Sequence, residues 1–465
     1  MFARNRNMDM TNGPMFGKIL LFALPIMVMN ILQLMFNAAD MIVVGQFAGK
    51  QPLAAVGATG ALINLMVNLF MGLSVGTSVI VAQDFGARDY KAISRSVHTS
   101  ISISVIGGIF VMIVGLVFCE PLLRYMGTPE DIIDLSTLYM KIYFLGMPAN
   151  MVYNFGAAIL RAVGDSRRPM YYLMISGAIN VILNLFFVIV LHMTVDGVAW
   201  ATVISQYISL VLIILSLLHS EGAIKLIPKQ LCIDLEKLKT IVRIGIPAGM
   251  QGILFSFSNI LIQSALNSFG STMVAASTAS SNIEGFISTT SNAYYNAAIT
   301  FTGQNMGAKK YKRIDTTAKI VTILIFATWI IVGGLTILSG RSLLRFYVSE
   351  PEVIDLGMKR LRIMMAVYFT GGLMNVYPGL IRGMGYSVLP MVVTLIGACV
   401  MRIIWLATIF TWYPTIEVLF ACYPVTWGLT AFGHIICFFI IRHKVMKRAA
   451  HESVAISTEE ASNPI

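Results

Sequence analysis

Charge is scarce in this sequence. Of its 465 residues only 12% are Asp, Glu, Lys or Arg, and only 22 are acidic; a soluble domain carries about 25% charged residues. With 57% hydrophobic residues, that scarcity excludes a water-soluble globular fold. Cysteine is scarce too. Cys119, Cys232, Cys399, Cys422 and Cys437 are scattered and form no CxxC pair, so neither a metal ligand set nor a disulfide framework is expected. No HExxH motif occurs, and the GxSxG match at Gly72–Gly76 lies inside an apolar run rather than on a strand-to-helix turn, so it is not a nucleophile elbow. The stretch GQFAGK ending at Lys50 is one residue short of a phosphate loop, with no Ser or Thr after it and no strand before it. No catalytic constellation emerges, so an enzyme is not expected. The opening residues MFARNRNMDMTNGP lack the apolar core of a signal peptide, and the first apolar run is expected to stay in the protein.

What the chain has instead is long apolar runs. Twelve spans are expected, near 16–45, 52–80, 94–118, 134–158, 170–192, 196–219, 241–268, 273–301, 316–338, 353–380, 389–411 and 417–441. They are continuous rather than alternating, which excludes a β-barrel and predicts an all-α polytopic membrane protein. The net charge of +11 lies largely in alternate connections: Arg88, Lys91 and Arg95, then Arg161, Arg167 and Arg168, then Lys225 to Arg243, then Lys309 to Lys319. That is the positive-inside pattern, not a nucleic-acid footprint, and it places both termini in the cytoplasm of a multi-pass plasma or inner membrane protein. The expected parts are a cytoplasmic segment 1–15, a six-helix lobe 16–219, a cytoplasmic linker 220–240 carrying a short amphipathic helix, a second six-helix lobe 241–441, and a cytoplasmic tail 442–465 that is disordered after Arg448.

Internal repetition is the strongest signal. QDFGARDYK at Gln83–Lys91 returns as QNMGAKKYK at Gln304–Lys312. Leu122-Leu123-Arg124 returns at Leu343, Ile133-Asp134-Leu135 at Ile354, and the Arg161–Met170 loop at Arg382–Met391, all with one offset of 221 residues. Six spans per repeat is an even number. Both lobes then enter from the same side, parallel, related by a pseudo-two-fold axis along the membrane normal. Such a duplication suits alternating access around a cavity between the lobes.

Two acids fall inside apolar spans, Asp40 and Glu284. A carboxylate at mid-membrane costs roughly 2.5–3.5 kcal/mol on insertion scales, so it tends to face protein or a water-filled cavity. Asn37 shares the face of Asp40 by i, i+3 spacing, and Pro25 offers a hinge upstream. Asn180 and Asn184 lie i, i+4 in the fifth span, and Thr202 and Gln206 do so in the sixth. Together they offer oxygen ligands for a hard cation, with a carboxylate that can instead carry a proton. The alternative is interhelical hydrogen-bond glue. Glu284 is a candidate for substrate or proton binding, or for bonding to its Ser, Thr and Asn neighbours. Arg402 is the deep cation, set either to snorkel or to pair with an acid of its own lobe. The 29 methionines suit a promiscuous apolar cavity as well as ordinary packing.

These residues resemble the multidrug and toxic compound extrusion (MATE) family, bacterial type. The features are Pro25 and Asp40 in the first span, Gln83 with Gly86-Ala87 echoed at Gln304 with Gly307-Ala308, the Arg161 to Pro169 loop, Asn180 with Asn184, and Gly197 to Thr202. The resemblance implies a twelve-helix, two-lobed antiporter that exports amphipathic organic cations, drugs and dyes in exchange for H⁺ or Na⁺. It implies an ion site on Asp40, Asn180, Asn184 and Thr202. Many members carry Asp at the position of Asn184, so this site is less negative. No cofactor is expected beyond the coupling ion, no resident metal beyond a transient Na⁺ at Asp40, and no partner beyond substrates and lipid; a monomer is expected. The rival readings are a flippase for lipid-linked precursors, disfavoured by the shortage of deep cations, a major-facilitator transporter, and a membrane-embedded enzyme.

Overall fold

A computed structural model describes residues 8–462 of the chain. Residues 1–7 of the expected N-terminal segment and 463–465 of the expected tail lie outside the described residues. Among the described residues the structure is helical and contains no strand. The chain divides into two compact units, Met1–Ser256 and Phe257–Ile465.

The first unit contains α1 (Met15–Val43), α2 (Lys50–Gly86), α3 (Tyr90–Tyr125), α4 (Glu130–Leu145), α5 (Met147–Ala162), α6 (Arg167–Leu185), α7 (Val195–Leu218) and the start of α8 (Leu235–Asn267). Helix α1 packs on α6, α6 on α7, and α4 on α2 and α7. The fourth span, expected as one rod over 134–158, is two helices. Gly146 interrupts it and Pro148 follows in the first turn of α5, where its missing N–H costs nothing. Gly146 has no side chain because the Oε1 atom of Gln206 occupies the space a Cβ would take.

The boundary between units falls inside α8, not in the linker at 220–240, because that linker is tied to the first unit. The ring of His98 accepts from the backbone N–H of Ile227 at 3.0 Å, and Thr99 Oγ1 accepts from that of Asp234 at 3.0 Å. Lys237 pairs with Asp84 at 2.7 Å. The expected amphipathic helix is absent; the linker makes two 3₁₀ turns, Gly222–Ile224 and Pro228–Gln230, before α8 begins. Pro228 and the bonds just named hold it in other geometry.

The second unit contains the rest of α8 with α9 (Ser271–Gly307), α10 (Tyr311–Thr328), α11 (Gly334–Arg345), α12 (Pro351–Ala366), α13 (Tyr368–Gly383), α14 (Val388–Thr394), α15 (Met401–Trp405) and α16 (Ile416–Ser462). Helix α13 packs between α9 and α16. The tenth span breaks at Val367, 221 residues after Gly146. Left-handed backbone recurs at the same offset: Gly49 with Gly270, Arg88 with Lys309, Gly164 with Gly385. In the QxxGAxxYK loops the left-handed residue is Arg88 or Lys309, while Gly86 and Gly307 stay helical. The helix of α16 continues to Ser462, where a disordered tail was expected.

Nine helices among the described residues are long and apolar enough to cross a membrane. The other three spans are explained by their sequences. Helix α9 is 37 residues long but rich in Ser, Thr and Asn; the fourth and tenth spans are broken pairs that begin with acids. Together they make the twelve-span polytopic fold.

Candidate functional site

The site in the first unit is assembled by a ring in a notch. Gly177 of α6 presents no Cβ, and the ring of Phe36 from α1 fills that space. Phe36 lies one turn before Asp40, and Gly177 lies three and seven residues before Asn180 and Asn184. The close crossing therefore sets Asp40 against the asparagine face of α6.

There the side-chain amide of Asn184 donates to Asp40 Oδ1. It also points at Asn180 Oδ1 at 3.5 Å, and the Asn180 amide reaches Thr202 Oγ1 at 3.5 Å. Thr202 donates to the backbone oxygen of Val198 at 3.0 Å. Four residues from three helices thus form one polar chain, and all four were expected together. Asn180 is 4% exposed and Asn184 0%. The Asn184 Oδ1 atom is buried with no partner among the described residues. Leaving a buried acceptor unpaired costs about 1–3 kcal/mol. Beside a carboxylate, that oxygen is placed to take a proton donor or a cation.

The neighbouring candidates behave differently. Asn37 is exposed and outside the chain. Gln206 leaves the Asp40 chain and lies against Gly146. Tyr139 and Tyr143 of α4, stacked at 6.1 Å between centroids, lie within electrostatic reach of Asp40. Sequence reasoning missed both; their i, i+4 spacing was the available signal. Helix α1 continues through Pro25, and π-helical turns begin just beyond Asp40, at Val44–Ala48, and just beyond Asn184, at Phe186–Val190. Such turns are frequent at functional sites.

In the second unit Glu284 is bonded to Arg360 at 3.1 Å, not to its hydroxyl and amide neighbours. Arg360 is 6% exposed, so Arg402 is not the one deep cation. On α12 Arg360 shares the buried face with Gly357, Leu361 and Met364. The run KRLR disguises it as a surface charge. Arg402 neither snorkels nor takes the acid. It is fully buried, donates to Asn259 Oδ1 at 2.7 Å and Ser258 Oγ at 3.2 Å, and lies 4.7 Å from the centroid of the Tyr423 ring. Those contacts staple α8, α15 and α16 together.

Two segments of the chain, residues 25–186 and 247–408, match the family model described as MatE, and together they cover more than half of it. The chain belongs to the MatE family. The first MatE segment holds Asp40, Asn180 and Asn184; the second holds Glu284, Arg360 and Arg402. The chain is similar to the "Probable multidrug resistance protein YoeA" of Bacillus subtilis, 27% identical with 88% of this chain and 90% of that one covered. It is similar to the multidrug export protein MepA of Staphylococcus aureus, 22% identical with 90% of each covered. A solved structure of "MATE in the straight conformation" matches with a TM-score of 0.89 at 22% identity, covering 96% of this chain and all of that one. The fold is the MATE fold, and the protein is a multi-pass membrane protein of a multidrug efflux transporter family.

Proposed function

We propose that this MATE protein is an antiporter that exports amphipathic organic cations in exchange for H⁺ or Na⁺ by alternating access. It works in the cell membrane as a monomer with both termini cytoplasmic. The coupling ion or proton binds at Asp40 with Asn180, Asn184 and Thr202. The observation that carries this reading is the Asp40–Asn184 contact with the orphan Asn184 Oδ1 beside it. That oxygen set has one carboxylate and neutral ligands, which suits a proton or a single monovalent cation rather than a tightly held divalent one. The multidrug names of the relatives support drugs as substrates. Glu284 is the second acid and the candidate contact for the substrate. An ion coupled to export must bind the two conformations unequally, since equal affinity shifts nothing.

The test is efflux of a cationic dye from proteoliposomes under Na⁺ and H⁺ gradients imposed separately. Efflux driven by one of them supports antiport. Dye movement indifferent to both gradients, or turnover of lipid-linked precursors instead, rejects it. Arg360 and Arg402 do not favour the anionic-lipid reading, because Arg360 is neutralised by Glu284 and Arg402 is occupied with Ser258 and Asn259.

A further inference from the structure

Glu284 and Arg360 form only half of the pair they can make. Arg360 Nη2 donates to Glu284 Oε2 at 3.1 Å. Arg360 Nη1 turns away, to the backbone oxygen of Ser277 at 2.7 Å and to Ser277 Oγ. Glu284 Oε1 and Arg360 Nε are both buried, and neither has a partner among the described residues. A guanidinium matched to a carboxylate commonly meets it with two parallel bonds. Here Ser277 holds the guanidinium off that fit, and the Phe420 ring backs it at 5.4 Å.

One aromatic ring touches Glu284, and two more follow it in a row. The Tyr368 hydroxyl donates to the Glu284 backbone oxygen at 3.3 Å. Tyr368 meets Trp427 edge to face at 5.7 Å, and Trp427 meets Tyr423 at 5.6 Å. The Trp427 indole N–H is likewise buried without a partner among the described residues. Along α9, Ser281, Ser288 and Asn292 are exposed in one helical stripe, with Gly285 leaving open space between them. A membrane helix with an exposed polar stripe is not built for lipid. It leads past Glu284.

We propose that Arg360 is a tethered competitor for the cation that Glu284 takes in the export reading, and that the open Oε1 makes this site select amines that carry an N–H. The amine N–H donates to Glu284 Oε1, the hydrophobic body packs against Tyr368, Tyr423 and Trp427, and the cation takes over the charge that Arg360 now balances. The substrate class rests on the export reading above. Aromatic faces attract cations in general; the open oxygen adds a demand for a donor. An amine that carries an N–H therefore binds better than its quaternary counterpart. Removing Arg360 strengthens binding, because a buried carboxylate stripped of its partner takes the next cation available.

The experiment is equilibrium binding to the purified full chain, read by fluorescence anisotropy. The probes are N,N-dimethyl-4-(1-pyrenyl)butylamine, a tertiary amine whose protonated nitrogen carries its one N–H, and its trimethylammonium form, which has none. Arg360→Gln is expected to tighten binding of the tertiary amine by about tenfold, with a smaller gain for the quaternary form. Arg360→Gln combined with Glu284→Gln is expected to lose the gain. Ser277→Ala leaves Arg360 in place and removes the Oγ bond of Nη1 while keeping the one to the backbone oxygen; the less firmly held guanidinium turns more readily toward both carboxylate oxygens, so binding of the tertiary amine weakens. This variant decides the matter should Arg360→Gln fail to fold. Unchanged or weaker binding in folded Arg360→Gln, a gain that survives Glu284→Gln, or unaltered binding in Ser277→Ala overturns the site. Proteoliposome efflux separates the two claims. If no gradient drives efflux but the binding series holds, the export reading falls and the site stands. If efflux runs and the binding series is flat, this site alone falls.

Discussion

Asn184 gives its side-chain amide to the carboxylate of Asp40, 144 residues earlier in the chain, and keeps its own carbonyl oxygen buried and without a partner among the described residues. The contact joins α6 to α1 at the point where each passes into a π-helical turn. A change in what Asp40 holds therefore bears directly on a contact between two helices. That is the minimum a coupling site needs.

Placing a second acid there should change the ion. In Asn184→Asp two carboxylates face one another, and they cannot both stay ionised without a cation or a shared proton. Dye efflux from proteoliposomes is expected to become about fivefold more responsive to a Na⁺ gradient than in the parent. Equal Na⁺ responses in parent and variant would place the ion away from Asn184.

The crossing of Phe36 over Gly177 should behave as a matched pair. Gly177→Val overfills the notch and is expected to cost about 1–3 kcal/mol, read as a lower melting temperature with slower efflux. Adding Phe36→Ala opens the space again and recovers part of the loss. Additive losses in the double variant would mean that the ring and the notch do not pack together.

The linker should depend on one ion pair. Lys237 donates to both oxygens of Asp84, which also accepts from Ser96 Oγ at 2.6 Å. Lys237→Met is expected to destabilise the protein by about 1.5–3 kcal/mol, whereas the exposed Lys91→Met stays within about 0.5 kcal/mol. A thermal melt compares them. Matching melts for the two variants would show that the pair contributes nothing.

Topology has its own check. The repeat and the basic loops predict that Gln83–Lys91 and Gln304–Lys312 both face the cytoplasm. Single cysteines placed in either loop should resist an impermeant reagent added to intact cells. Labelling of one loop but not the other would contradict a parallel repeat.

Much of this was readable from residues alone because the signals were periodic. The offset of 221 recurs in the backbone as paired left-handed residues, since a duplicated sequence demands duplicated turns. The Asp40 set was legible because polar residues at i, i+4 in apolar spans have few places to go. Arg360 was not legible: a charge inside KRLR looks solvated until the helix phase of α12 is known. Gly146 was missed because the break depends on a tertiary partner, Gln206, and local propensity does not show it. The linker misled for a similar reason. Its helix-like pattern loses to the hydrogen bonds that its backbone N–H groups donate to His98 and Thr99.

The central claim is that Asp40 couples the ion to export, and Asp40→Asn tests it most directly. The substitution keeps the size and removes the charge and its titration. Purified variant protein is reconstituted, a H⁺ or Na⁺ gradient is imposed, and efflux of a cationic dye is followed. The account predicts that gradient-driven efflux falls by at least about a hundredfold, the scale of losing one essential proton-transfer group, while dye binding is at least partly retained. Gradient-driven efflux at the parent rate in Asp40→Asn would contradict the account and move the coupling site elsewhere, with Glu284 the next acid to test.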